Sequence, residues 1–374
     1  MPEHVVPMLA RLAIMPANED DWGFEVKWDG IRALLYSRVR KGELTIENRN
    51  LRDITFKYPE LHPLSGLNAV VDGEIVALDE NGRPSFERLQ GRMHLSTEAA
   101  VRARMDDIPV RLMVFDLLWH DGRDLTELPY TERRAALEAL DLNGPNWQTP
   151  SWRRGEGRAL LEAARTQSLE GVMAKRLTSP YCPGKRTKHW LKVKVKQNQE
   201  FVIAGWQPGE GRRESTIGSL LLGYFDDGVF RYAGKVGTGF KERDLAMLTK
   251  ELTTRRRTAS PFSPPPPPPR GVVFAEPELV AEIEFTEWTR EGILRNPAYK
   301  GLRDDKPAEA VVRELPVEAT RAQSRWTSTG GRSSCPISTR SSIRRPASPR
   351  ARSSTTTRAW RRCCCRTSKG GRSR

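Results

Sequence analysis

Long hydrophobic runs are missing from this sequence. No apolar stretch approaches the ~18–20 residues that a membrane-spanning helix needs. The opening MPEHVVPMLARLAIMP breaks its short apolar stretches with Arg11, and acids follow at once. A helical membrane span is excluded and a secretory leader is not expected. Cysteine is almost as scarce. Of the five, only Cys182 lies in the first 320 residues, while Cys335, Cys363, Cys364 and Cys365 fall near the end. One thiol makes no disulfide framework, and no Cys/His pair has metal-ligand spacing. These absences lead us to expect a cytoplasmic protein. Charge imbalance is the third lack, despite a formal net charge of +15. Residues 321–374 carry 14 Arg, one Lys and no acid, which leaves 47 basic and 47 acidic residues before them. The excess belongs to the tail, so bulk charge gives no argument that the body binds nucleic acid.

The 374 residues suggest two domains. Residues 1–195 mix short β-like runs (24–27, 33–36, 69–78, 110–118, 172–176) with helical stretches at 131–140 and 157–168, an α+β pattern. Residues 196–318 are strand-rich (200–205, 219–225, 229–236, 281–288) with one helix at 241–251, which suits a small barrel such as the OB-fold. The six consecutive prolines within 263–270 fit only an extended, solvated loop. In 319–374 Ser, Thr, Arg and Cys dominate and periodicity vanishes, so no core is expected there. That tail reads either as a basic, disordered nucleic-acid-binding arm or as a GC-rich gene translated out of frame. We favour the second: shifting plausible codons turns RSSTTTRAWRRCCCR into approximately EVIDYYTRVAPVLLP, which regains helical amphipathicity.

Five short patterns carry charge in places where chemistry could use it. Lys27-Trp28-Asp29-Gly30 with Arg32 follows a strand-like segment, so the Lys27 amine can point into a pocket. A lysine of ordinary pKa ~10.4 is a poor nucleophile at neutral pH, and nearby cations and a metal are expected to keep it deprotonated. Asp72-Gly73-Glu74 and Glu170-Gly171 each set acids at apolar strands. Trp190-Leu191-Lys192-Val193-Lys194-Val195-Lys196 alternates, placing Lys192, Lys194 and Lys196 on one strand face, either a solvated edge or a polyphosphate clamp. Arg303-Asp304-Asp305-Lys306 comes late in the barrel region. Singly, each is equally a surface turn or charged loop.

Their order and spacing are more specific. Together with PMLA (7–10), EVKWDGIRAL (25–34), KYPEL (57–61), VFDLLWHDGRDL (114–125), EGVMAKR (170–176), SPYCPGKRTKHWLKVK (179–194) and NPAYKGLRDDK (296–306), they resemble the covalent nucleotidyltransferases. Within that superfamily the phrasing resembles ATP-dependent DNA ligases of the bacterial ligase D, end-joining type, over about residues 5–315. The resemblance implies a nucleotidyltransferase domain, an ATP-grasp-like adenylation fold, followed by an OB-fold β-barrel. It implies that Lys27 attacks the ATP α-phosphate to form lysyl-AMP. Glu25 would border the adenine and Phe115 stack on it, Glu74 would hold the ribose, and Arg32 and Arg49 would contact AMP and the nick. Asp29 and Glu170 would gather Mg²⁺ or Mn²⁺, a hard cation suited to oxygen ligands. Arg186, Lys192 and Lys194 would bind ATP phosphates, and Arg303 and Lys306 would orient the departing pyrophosphate.

The same resemblance implies nicked or broken duplex DNA as substrate, with Ku and a primase-like polymerase module as partners, in a nucleoid-associated monomer. The frame-shifted tail resembles the start of that polymerase module, so a continuation lost to a frameshift is expected. Lys27 comes so early that DNA would be gripped by the catalytic domain and barrel, with Arg212, Arg213, Lys235 and Lys241 as candidate contacts. An RNA ligase, a capping enzyme and an inactive DNA-end scaffold are the competing readings. His189 is expected to be structural and Cys182 a passive thiol.

Overall fold

The chain turns back and forth between two sheets before it builds a third. The computed structural model describes residues 1–38, 42–209, 216–265 and 271–316. Alternating apolar residues make the first strands: β1 (Leu9–Leu12), β2 (Trp22–Val26), β3 (Ile31–Arg38), β4 (Glu43–Asn48) and β5 (Ala69–Ala77). Helix α1 (Phe86–Met93) starts where the Ser85 side chain accepts from the Arg88 N–H at 3.2 Å. Next come β6 (Val110–His120), α2 (Tyr130–Glu138), α3 (Gly157–Thr166), β7 (Gly171–Arg176) and β8 (Arg186–Lys194).

One sheet runs β1-β8-β7-β2 and ends on the two-residue strand Arg153–Arg154; the other runs β4-β3-β5-β6 with short strands at its edge. Residues 27–30 therefore carry the chain from one sheet into the other. Ile31, Ala33, Leu35, Val71, Ile75, Leu112 and Val114 point to the far side of the second sheet, where Leu61, Leu89 and Leu137 complete a core. Phe24, Val172, Ala174 and Leu191 pack under α3 on the first.

The second half begins with β9 (Gln197–Pro208), separated from β8 by two residues, and continues with β10 (Ile217–Asp226), β11 (Val229–Val236), helix α4 (Glu242–Thr253), β12 (Val273–Phe285) and β13 (Ala298–Arg303). The order β11-β10-β9-β12, with β13 beside β12, wraps one core that includes Leu220, Leu222, Ile283 and the α4 residues Leu248 and Leu252. A curled sheet with a single helix agrees with the barrel expected from the strand spacing. Of the proline-rich loop, residues 266–270 lie outside the described residues, and its approach is anchored: Phe262 stacks on Phe230 at 5.1 Å. The tail, with Cys335, Cys363, Cys364 and Cys365, and the candidate contacts Arg212 and Arg213 also lie outside them. Among the described residues no helix is long and apolar enough to cross a membrane.

Candidate active site

The site begins at the crossing between the two sheets. Lys27 leaves β2 with its backbone N–H donating 2.9 Å to Gly171 O, which ties it to the start of β7. Three residues on, the chain passes so close to β5 that a Cβ on Gly30 would lie 2.1 Å from Ile75 O, so only glycine fits. Gly171 is constrained likewise: its φ is +155° and a Cβ would lie 2.2 Å from Val193 O. These two close approaches hold Lys27 and Glu170 in one place, although 143 residues separate them. The Lys27 ammonium donates to the Glu170 carboxylate.

Sheet register then builds the wall. Across β2, β7 and β8, Glu25 stands opposite Met173, and Met173 opposite Lys192, while Gly171 faces Lys194 and Lys175 faces Trp190. Even-numbered residues of β8 share a face, so Trp190, Lys192 and Lys194 all line the cavity. Lys194 Nζ lies 3.3 Å from Glu170 Oε1 and 2.6 Å from Asn198 Oδ1. On the opposite sheet Arg32 pairs in register with Glu74, and its guanidinium binds Asp72, with Nη2 at 2.6 Å from Oδ2.

One end of the cavity is an aromatic box around a buried charge. Glu25 Oε1 accepts from Tyr130 OH at 2.5 Å and lies 3.0 Å from Lys175 Nζ, with Arg134 Nη1 at 3.8 Å. Lys175 Nζ sits 4.4 Å from the ring centroids of both Phe115 and Trp190 and donates 3.1 Å to Phe115 O. Burial lowers the Lys175 pKa, against the pull of Glu25 and Asp116.

The barrel closes the other end. From β12 and β13 come Glu282 and Arg303; Arg303 Nη1 is 3.0 Å from Glu282, and its Nε and Nη2 reach Asp305 at 2.8 and 2.9 Å. The Arg303 guanidinium lies 4.3 Å over the Phe86 ring on α1, and Gln90 Nε2 donates 3.3 Å to Leu302 O. Lys241 and Arg243 of the barrel both pair with Glu87 of α1. The barrel is therefore docked over the cavity in a closed arrangement.

Burial and charge set the titrations. Burial opposes the Lys27 ammonium, but Glu170, then Asp29 and Glu74, outweigh it and raise the pKa above the usual lysine range. The expectation that neighbouring cations depress it is therefore corrected: carboxylates, not cations, are its near neighbours. Glu170 is held down at about 2: burial resists ionisation, but Lys27 and Lys194 prevail. Glu74 is pushed up to about 7 by burial, with Arg32, Lys27 and Arg303 only partly offsetting it. Burial takes Lys192 down to about 8. For Asp29, burial and then the carboxylates of Glu282 and Glu170 raise the pKa well above the carboxylate range.

Comparison with known proteins decides what this arrangement belongs to. The family model of the ATP dependent DNA ligase domain matches residues 7–194, and that of the ATP dependent DNA ligase C terminal region matches residues 213–306. The chain belongs to the ATP-dependent DNA ligases. It is 40% identical over 320 residues to the multifunctional non-homologous end joining protein LigD of Mycolicibacterium smegmatis, an alignment covering 84% of this chain and 40% of that protein. With the Pseudomonas aeruginosa protein of the same name, identity is 37% over 328 residues, covering 84% of this chain and 37% of that one. The ligase thus spans about two-fifths of the length of these relatives. Its structure is similar to a mycobacterial DNA ligase D complexed with ATP and MES, with a TM-score of 0.61, 38% identity, and coverage of 83% of this chain and 98% of that one. The architecture is accordingly an adenylation domain followed by an OB-fold, and ATP is the co-substrate of the family.

Most residues singled out from the ligase sequence meet at this cavity: Glu25, Lys27, Asp29, Arg32, Arg49, Glu74, Phe115, Glu170, Arg186, Lys192, Lys194 and Arg303 all line it. Lys306 does not. It lies behind the wall, 3.1 Å from Glu200. Lys196 is also away from it, exposed and paired with Glu284 at 3.1 Å, because β8 ends at Lys194. Of the candidate DNA contacts, Lys241 is engaged by Glu87 and Lys235 by Gln207. His189 is half-buried and off the cavity, and Cys182 is buried without a disulfide. Reasoning from sequence missed Lys175, Trp190, Glu200, Glu282, Asp305 and Glu314 on the wall. Trp190 and Asp305 were within reach, since each lies two residues from one already chosen, Lys192 and Arg303; Lys175, Glu200, Glu282 and Glu314 had no such signal.

Asp29, Glu170 and Glu282 line the same cavity, close enough that Glu282 and Glu170 help raise the Asp29 pKa, and all their donors are hard oxygens. That chemistry fits Mg²⁺ or Mn²⁺. Among the described residues no group of three or more His, Cys, Asp or Glu is placed to hold a metal by itself. Phosphate oxygens and water would have to complete the coordination, as is usual for Mg²⁺.

Proposed function

We propose that this ligase seals 3′-OH/5′-phosphate breaks in duplex DNA through a lysyl-AMP intermediate at Lys27. The observation that carries the reading is one cavity lined by Lys27, by the carboxylates Asp29, Glu74 and Glu170, and by the cations Arg186, Lys192, Lys194 and Arg303. In the first step the Lys27 Nζ lone pair attacks the α-phosphorus, the bond to the bridging oxygen breaks, and pyrophosphate leaves; the amine gives up its proton. AMP then passes to the DNA 5′-phosphate, and the 3′-OH displaces it to form the phosphodiester.

In-line positioning and charge neutralisation supply most of the rate in such transfers. Phe115 and Glu25 border the adenine, Glu74 takes the ribose hydroxyls, and Arg32 and Arg49 hold AMP and the nick. Arg186, Lys192 and Lys194 take the phosphates, while Arg303 steadies the leaving group. Lys306 keeps Glu200 in place behind them. A divalent cation held by Asp29, Glu170 and the ATP phosphates would supply charge neutralisation at the reacting phosphorus. Residues 1–195 serve as the adenylation unit and 196–318 as the barrel that closes on it.

The names of the full-length relatives support a role in non-homologous end joining. The substrate would then be DNA ends, and the partners Ku and a polymerase module, in a nucleoid-associated, monomeric protein. The match to DNA ligase models favours DNA over RNA ends or caps. The test is ligation of a nicked duplex with ATP against GTP, for wild type and Lys27→Ala. Sealing with ATP by the wild type alone supports the reading; sealing by the variant, or with GTP only, refutes it.

A further inference from the structure

Beyond β13 the chain returns a carboxylate to the cavity. Phe225 N–H donates 2.7 Å to Val311 O, and the Gln199 side chain then clamps the following residues: its Nε2 donates 2.9 Å to Val312 O, and its Oε1 accepts from Glu314 N–H at 3.1 Å. Held this way, the buried Glu314 carboxylate meets Lys192 Nζ through both oxygens, at 2.7 and 2.6 Å, and lies 3.6 Å from Arg186 Nη1. Val312 and Leu315, on either side, are exposed. Val311 itself is buried in the barrel core, and beyond it the segment is held mainly by polar contacts.

A carboxylate is the protein's nearest equivalent of a phosphate oxyanion. Here one occupies two cations on the phosphate-facing wall, despite a second acid, Glu200, on the same wall. Placing two acids together has an electrostatic cost unless the cations are otherwise left bare. We propose that Glu314 is a built-in occupant of the subsite for the outer phosphates of ATP, so that a nucleotide must displace it to reach Lys192 and Arg186. This rests on the reading of those two residues as phosphate ligands. Glu314 is then a specificity determinant. A nucleoside triphosphate carries the charge to expel it, AMP has no outer phosphate to compete, and its return after pyrophosphate leaves opposes reversal.

The test measures affinity for two probes, α,β-methylene-ATP (which cannot transfer AMP) and AMP, by calorimetry with Mg²⁺ on the full chain. The variants are Glu314→Gln, Glu314→Asp and Lys192→Met, each checked for an unchanged melting profile. Glu314→Gln is expected to tighten the triphosphate analogue on the order of tenfold and to leave AMP unaffected. Glu314→Asp should fall between Glu314→Gln and wild type. If Glu314→Gln leaves the analogue unchanged or weakens it while Lys192→Met weakens it, the phosphate reading survives and the proposal falls. If Lys192→Met does not weaken the analogue, the phosphate reading falls and the proposal with it.

Discussion

Lys27 and Glu170 are joined as an ion pair inside the cavity, and Lys194 stands 3.3 Å from the other Glu170 oxygen. The proposed nucleophile is thus held protonated in the absence of ATP, and Glu170 is the group that holds it. Freeing the amine means drawing Glu170 elsewhere.

Competitive labelling with an amine reagent, without nucleotide or metal, checks this directly. Lys27 should label more slowly at pH 8 than exposed lysines, because its pKa is raised. In Glu170→Gln burial dominates and lowers the pKa, so labelling should speed up by on the order of tenfold. Equal rates in the two proteins would contradict the pairing.

Glu74 gives a pH signature. Its native pKa, about 7, lies above the ordinary carboxylate value of the unfolded chain. Between about pH 4.5 and 7 the native state keeps a proton that the unfolded chain releases. This group's contribution to stability therefore falls as pH rises through that window and is constant above it. Comparing melting temperatures of wild type and Glu74→Gln from pH 5 to 8 reads the effect: the variant should gain relative stability as pH rises, and parallel curves would refute the assignment.

Arg303 comes to the cavity from the barrel, at the end of β13. Arg303→Ala should slow enzyme adenylylation by about a hundredfold, while sealing of DNA already carrying 5′-AMP should change little. Single-turnover rates for the two steps separate them; equal losses in both would argue against a role confined to the closed state.

A buried pair behind the site controls stability rather than chemistry. Arg133 Nε and Nη2 bond Asp116 at 2.8 and 2.9 Å, with both side chains fully buried. Arg133→Met leaves the buried Asp116 charge without its bidentate partner, at an expected cost of about 3–5 kcal/mol. Urea unfolding should show that loss; a change below about 1 kcal/mol would mean Asp116 finds another partner or is neutralised. By contrast Tyr130→Phe removes one bond to Glu25 and should raise KM for ATP about fivefold to tenfold with a smaller loss of stability.

How much of this was visible in the amino-acid order follows from where each contact is made. Strand alternation exposed Lys192 and Lys194, and the acid set before Gly171 at an apolar strand exposed Glu170, because both signals are local. The barrel and its single helix α4 were likewise readable from short strands and one periodic stretch. Tyr130 and Arg134 carried no local mark: they reach Glu25 over more than 100 residues of intervening chain. Helix α1 was not anticipated, since its apolar face covers only two turns. The raised Lys27 pKa could not be read either, because it depends on which charges fold nearest, and those proved to be acids.

Intact-mass spectrometry tests the central claim most directly. Wild type and Lys27→Ala are incubated with ATP and Mg²⁺, and nicked duplex DNA is then added. The account predicts a mass gain of one AMP on wild type alone, mapped to the peptide containing Lys27 and lost as sealed strand appears. An adduct that persists in Lys27→Ala, or sealing by wild type with no adduct ever formed, would contradict it.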